Sequence, residues 1–161
     1  MVVGGANLCD DEVEVGGEEG GGVLVSNLEM NLEVVRRGME MGISQGRITI
    51  LNPSPMFCLD LAMLGAVEVV VVNEGELDHL IQLTESESIS NLFPLLSPST
   101  QTPTIIVTKG PEGASIHQPQ IDAVNVPVPG DLGEIEVVDT VGAGDAFLGN
   151  STSTFTILSI G

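Results

Sequence analysis

The chain has 161 residues, 42% of them apolar, which is enough for one domain with a core and too much for wholesale disorder. With 23 acidic against 4 basic residues, a formal charge of −19, it lacks the basic patches that nucleic acid or an anionic membrane surface calls for. Cys9 and Cys58 lie far apart and outside any CxxC pattern, so neither a zinc site nor a disulfide framework is indicated. Buried, reduced thiols in a cytoplasmic protein are expected, and no basic-then-apolar leader or 18-residue apolar run speaks against that location. There is no Trp or Tyr and only 4 Phe, so the core must rest on Val, Ile, Leu and Met.

Met1 to Asn7 is short and apolar, and Cys9 to Gly22 is an acidic, glycine-rich loop or weak helix. Val23 to Val25 opens a strand. From Asn31 to about Met41, Leu32, Val35 and Met39 recur at helical spacing. Arg47 to Leu51 is β-rich and is stopped by Asn52-Pro53-Ser54-Pro55; Leu59 to Leu64 reads as a short helix. Val67 to Val72 is a nearly continuous apolar strand of the kind buried on both faces of a parallel sheet. Asn73 to Leu83 reads as a helix with Leu77, Leu80 and Ile81 on one side. Glu85 to Thr102 is a Ser/Thr/Pro-rich connection in which Leu92 to Leu96 pack locally. Pro103 to Thr108 is a further strand, Ala114 to Gln118 and Val124 to Val128 form a pair of β segments, and Glu134 to Val138 leads into a glycine-rich turn.

Strands alternating with helices indicate an α/β fold with a mainly parallel sheet. Ligands of such sheets gather at the carboxyl ends of the strands, where Asn52, Asn73, Thr108 and Asp139 all fall. The turn at Gly142-Ala143-Gly144 permits tight backbone bending, and a helix starting at Asp145 would aim its N-terminal N–H groups at the same spot. A carboxylate beside such an anion site can take a proton from an attacking hydroxyl, which suits phosphoryl transfer to an alcohol. Ordinary strand-to-helix punctuation is the competing reading. The spacing rules out a dinucleotide fingerprint, since position 147 is Phe147, and a P-loop, since position 150 is Asn150.

Asp139-Thr140-Val141-Gly142-Ala143-Gly144-Asp145-Ala146-Phe147 resembles the C-terminal signature of the ribokinase-like (PfkB) family of carbohydrate and nucleoside kinases. Five further motifs occur in the family's order: Gly5-Ala6-Asn7, Leu28-Glu29, Asn52-Pro53-Ser54-Pro55, Asn73-Glu74-Gly75-Glu76 and Thr108-Lys109-Gly110-Pro111-Glu112-Gly113. Asn73 with Glu76 also reads as a capping box, and the Thr108–Gly113 stretch as a hairpin turn. The resemblance implies Asp145 as catalytic base and Gly142, Ala143 and Gly144 as the anion hole. It implies Asn73, Glu76 and the Thr108–Gly113 loop (Thr108, Lys109, Gly110, Pro111, Glu112, Gly113) as organisers of Mg-ATP, Glu76 reaching Mg²⁺ through water. Glu29 would contact the sugar, and Asp139 and Val141 would hold a monovalent cation, K⁺.

The implied architecture is a partial ribokinase-like, Rossmann-like three-layer fold. Residues 1–150 would be the C-terminal portion of the kinase domain and residues 151–161 a divergent Ser/Thr-rich tail that cuts the helix bearing Asp145 after about two turns. The family's small β lid, also its dimer surface, is expected to be absent, and with it most of the activity of this polypeptide alone. The implied function is ATP-dependent phosphorylation of a sugar primary hydroxyl, ribose to ribose 5-phosphate, with no nucleic-acid or membrane partner. The alternatives are a non-catalytic nucleotide-binding or regulatory chain and a kinase for another sugar or nucleoside.

Overall fold

The computed structural model describes residues 22–97, 102–128 and 142–158, the stretch from 151 onward by its backbone alone. The segments around Gly5-Ala6-Asn7, Cys9, the acidic glycine tract up to position 21, the strand expected at Glu134–Val138, and Asp139 and Val141 lie outside the described residues.

Among the described residues six strands form one sheet in chain order: β1 (Val23–Asn27), β2 (Ile48–Asn52), β3 (Val69–Asn73), β4 (Thr104–Thr108), β5 (Ala114–His117) and β6 (Val124–Val126). The first four are mutually parallel, while β5 is antiparallel to β4 and to β6, which is the mainly parallel α/β sheet expected. Three α-helices accompany it among the described residues: α1 (Leu32–Ser44), α2 (Glu74–Leu83) and α3 (Ala143–Leu158).

Side chains alternate across the sheet, and both faces are covered. Leu24, Leu51, Val70, Val72, Ile105 and Val107 pack with Val35 and Met39 of α1 and Leu80 of α2, together with Leu92, Phe93 and Leu96. Val23, Val25, Ile48, Ile50, Val69, Val71 and Ile106 face the other way, onto Leu148 and the half-buried Phe147 of α3. The unbroken valines of β3 are thus explained by burial on both sides.

Helix α1 begins at Asn31, whose side chain accepts the Glu33 N–H at 2.9 Å. It buries Val35, Met39 and Gly42 and extends three residues beyond Met41, to Ser44. A Cβ on Gly42 would lie 2.9 Å from Leu24 Cδ2 and 3.0 Å from Thr49 Cγ2, so glycine lets this helix lie close on β1 and β2. The expected short helix at Leu59–Leu64 is a 3₁₀ segment, Leu61–Ala66, started by Asp60, whose side chain accepts the Ala62 N–H. Cys58 is a free thiol and only half-buried, not enclosed as expected.

The largest departure is at the C-terminus. Helix α3 does not stop after two turns but runs from Ala143 to Leu158. Ser, Thr and Ile each disfavour a helix interior by well under about 1 kcal/mol. No Gly or Pro stands between Asn150 and Leu158 to interrupt the ladder, so low propensity alone does not end it. Among the described residues no helix is long and apolar enough to cross a membrane.

Candidate active site

The parallel strands end in polar residues as two level pairs, β3 and β4 running two residues beyond β1 and β2. Asn27 is opposite Asn52, and Asn73 is opposite Thr108, at the last pair of each ladder. Above these ends lies a cleft of about 210 Å³. Lining it are Glu29, Asn73, Glu76, Thr108, Gly142, Gly144 and Asp145, all singled out from the sequence, together with Asn27, Asn52, Ser54 and Phe147.

Each wall has its own local cause. Leu28 is buried (2% exposed), and its N–H donates to the Ser54 carbonyl at 2.9 Å, tying the loop after β1 to the loop after β2. Asn27 Oδ1 accepts the Glu29 N–H at 3.2 Å, an Asx turn that sets the Glu29 backbone while its carboxylate stays exposed. On the opposite wall Asn73 caps α2. Its Oδ1 accepts the Glu76 N–H at 2.9 Å, and Glu76 Oε2 accepts the Asn73 N–H at 3.0 Å. This is a complete capping box, yet it leaves Asn73 Nδ2 and Glu76 Oε1 over for a ligand.

The third wall is the start of α3. The helix begins at Ala143, two residues before the expected Asp145, because Gly142 takes φ +77 and its carbonyl already accepts the Ala146 N–H at 2.9 Å. Ala143, Gly144 and Asp145 therefore form the first turn, where N–H groups have no intrahelical acceptor. Two helix N-termini, those of α2 and α3, open on one cleft, each presenting the positive end of its dipole.

A second, more apolar cleft of about 400 Å³ adjoins the first and shares Thr108, Gly144 and Phe147 with it. Gly110, Gly113, Ala143, Val126 and Pro127 contribute to its walls. The Thr108–Gly113 stretch is a hairpin turn as well as a cleft wall: Lys109 N–H donates to the Gly113 carbonyl at 2.8 Å around the 3₁₀ turn Gly110–Glu112. Lys109, Pro111 and Glu112 line neither cleft; Pro111 and Glu112 are exposed and Lys109 is half-buried.

Charge in the first cleft is one-sided, since Glu29, Glu76 and Asp145 line it and no Lys or Arg does. Of the 4 basic residues, Arg36 and Arg37 are engaged on the outer face of α1 with Glu33 and Glu40 at 2.6–2.8 Å. Those guanidiniums hold the Glu33 carboxyl down to about 2. Arg47 is buried, its Nε on Gln45 Oε1 at 2.9 Å. Any anion bound here would meet backbone N–H groups and helix ends, not side-chain cations. Among the described residues no three His, Cys, Asp or Glu side chains converge as a metal cage. The lone Glu76 carboxylate suits a hard cation that keeps most of its waters and arrives with phosphate.

Sequence reasoning gave no role to Asn27 or Ser54, although Ser54 stands inside the Asn52-Pro53-Ser54-Pro55 motif and Asn27 directly before Leu28-Glu29. Asp139 and Val141 lie outside the described residues.

The model of the pfkB family carbohydrate kinases matches residues 15–156. Among curated proteins, the ribokinase of Staphylococcus aureus (strain COL) is 30% identical over 133 residues, which are 78% of this chain and 40% of that protein. The deoxyribokinase of Salmonella typhi is 33% identical over 131 residues, 79% of this chain and 40% of that protein. The chain thus spans about 40% of the length of these relatives. Among solved structures, the apo adenosine kinase of Trypanosoma brucei brucei superposes with a TM-score of 0.69 at 18% identity, covering 84% of this chain and 46% of that one. At that identity the likeness speaks for the fold.

Proposed function

This chain belongs to the pfkB family of carbohydrate kinases, and from that premise we propose that its cleft serves phosphoryl transfer from ATP to the primary hydroxyl of a pentose, ribose in the first instance. The observation that carries the reading is the convergence of Asp145, the α3 and α2 N-termini and Glu29 on one polar cleft. Asp145 would accept the proton of the attacking hydroxyl. The first-turn N–H groups around Gly142, Ala143 and Gly144 would stabilise negative charge on the phosphoryl group in flight. Glu29, held by the Asn27 turn, would accept hydrogen bonds from sugar hydroxyls and so align the reacting oxygen.

Asn73 would bind phosphate oxygen through Nδ2, and Glu76 would hold Mg²⁺ through water with Oε1, where the cation neutralises phosphate charge. Thr108, Gly110 and Gly113 would line the nucleotide along the adjoining cleft, with Lys109 as an outer counter-charge and Pro111 and Glu112 shaping the turn. Asp139 and Val141 complete the proposal as ligands of a monovalent cation. The relatives named ribokinase and deoxyribokinase are of similar identity, so 2-deoxyribose is the nearest alternative substrate.

The test is ADP formation by the purified chain with Mg²⁺ and K⁺, with ribose, with deoxyribose and without sugar, beside Asp145→Asn. Loss of a general base is expected to lower sugar-dependent turnover about 10²-fold or more. Turnover unchanged in Asp145→Asn would refute the assignment. Saturable Mg-ATP binding without turnover would instead favour a nucleotide-binding or regulatory chain.

A further inference from the structure

The floor of the cleft is a gap between β2 and β3, and the chain contains a device that makes it. Pairing of β1 with β2 runs to the last residue of each, and so does pairing of β3 with β4. Pairing of β2 with β3 covers only Ile50↔Val69 and Leu51↔Val70.

The direction of the N–H groups along β2 explains where it stops. Ile48 N–H donates to the Gly22 carbonyl at 3.0 Å, toward β1. Thr49 N–H turns the other way, to Glu68 Oε2 at 3.3 Å beside β3. Successive N–H groups of a strand alternate sides, so odd-numbered positions of β2 serve β3. Leu51 is the next such position and still pairs with β3, and the one after it is Pro53, which has no N–H.

Val71 therefore turns a carbonyl toward β2 where no backbone donor stands, at a residue only 3% exposed. An unsatisfied carbonyl there would be costly. The Asn52 side chain supplies the donor, its Nδ2 reaching the Val71 carbonyl at 2.8 Å. A carbonyl only accepts, so the amino end of the carboxamide faces Val71 and Oδ1 is left to the cleft that Asn52 and Val71 both line.

We propose that Asn52-Pro53 is a wedge: the proline ends the β2–β3 ladder and the carboxamide spans the gap at fixed width. Asn52 is then a positioning residue that keeps the Glu29 and Ser54 wall apart from the Asn73 and Glu76 wall. For its ligand readout this inference rests on the phosphoryl-transfer reading of the cleft; its structural readout does not.

The experiment compares Asn52→Ala with the double variant Asn52→Ala/Pro53→Ala, measuring thermal midpoint, Mg-ATP affinity by calorimetry and amide exchange by NMR. Asn52→Ala is expected to lower the midpoint and to weaken Mg-ATP binding about fivefold to tenfold, the effect of one lost hydrogen bond and a misplaced wall. In the double variant an N–H returns at position 53, the ladder closes by one more pair and the midpoint recovers, while binding stays weak because the gap has narrowed. Recovery of both stability and binding, or no effect of Asn52→Ala on either, would overturn the wedge. If the unsubstituted chain binds no Mg-ATP, the kinase reading fails, and exchange decides the wedge by itself. A slowly exchanging amide at position 53 in the double variant supports it, and one exchanging at the solvent rate overturns it.

Discussion

Replacing Gly113 by alanine concentrates two separate penalties in one residue of the hairpin loop. Gly113 sits at φ +91 and ψ −128, a sparsely populated backbone conformation that costs an L-residue about 1–3 kcal/mol. Its added Cβ would also lie 2.1 Å from the Val126 carbonyl oxygen and 2.9 Å from Pro127 Cα. These are backbone atoms, so no rotamer change relieves the contact. Reaching the 3.4 Å of ordinary contact means that β6 retreats by about 1.3 Å, too far for good hydrogen bonds where it pairs with the start of β5 near Ala114↔Val126.

At about 1 kcal/mol net for each of about two ladder bonds lost, the two effects together amount to roughly 3–5 kcal/mol. That is a large fraction of the roughly 5–15 kcal/mol typical of a domain. Gly110→Ala is the internal control. Its φ is also positive, at +54, but an added Cβ meets nothing within 4 Å, so it carries backbone strain alone and should cost only about 1–2 kcal/mol. Urea unfolding followed by far-UV circular dichroism measures both. Equal losses for the two variants would refute the argument, since only Gly113 faces Val126. Gly113, Val126 and Pro127 share the second cleft, so Gly113→Ala should weaken nucleotide binding as well.

Asn73→Ala removes the Oδ1 that accepts the Glu76 N–H and is expected to cost about 1 kcal/mol of stability; Mg-ATP affinity should fall with it. Asn73→Ser should recover the stability without the affinity, and recovery of both would show that the cap alone matters. Gly42→Ala drives a Cβ to 2.9 Å from Leu24 Cδ2 and 3.0 Å from Thr49 Cγ2, so crowding is expected to cancel or exceed the roughly 1 kcal/mol of helix propensity gained, and a stabilisation by that full amount in the same unfolding assay would be evidence against close packing of α1. Partial burial, and secondarily the Lys109 ammonium, holds the His117 imidazole below its usual 6.5. The folded chain thus favours the neutral ring, and the stability this contributes is full above 6.5 and lost as pH falls through the folded-state value. NMR titration of the ring should find His117 more acidic in the native chain than in urea; the reverse order would contradict this assignment.

Much of the architecture was legible because it follows from local rules. The valines of β3 announced burial on two faces, and the burial of Val69 and Val71 against one layer and of Val70 and Val72 against the other follows from the pleat alone. Asn73-Glu74-Gly75-Glu76 announced the start of α2, because a capping box needs only residues three apart. Where propensity was the guide, the expectation was weaker. The Ser/Thr-rich end of α3 is helical to Leu158, and the helix starts at Ala143 because the φ of Gly142, not the residue type of Asp145, sets its first turn.

For the described strands, the sequence by itself determined where they lie, which faces they bury and which side chains stand at their carboxyl ends, since these depend on periodicities of two and 3.6 residues and on caps and breakers a few residues apart. Only the tertiary structure decided which of those ends share a cleft. Register between strands brings Asn27 level with Asn52, and Asn73 level with Thr108, and no local rule supplies it. The same holds for Lys109, Pro111 and Glu112, which share a motif with Gly110 and Gly113 yet stay out of the second cleft that those two line. A loop motif states which residues are adjacent along the chain, whereas the side of the turn that faces a ligand is set by the strands that close around it.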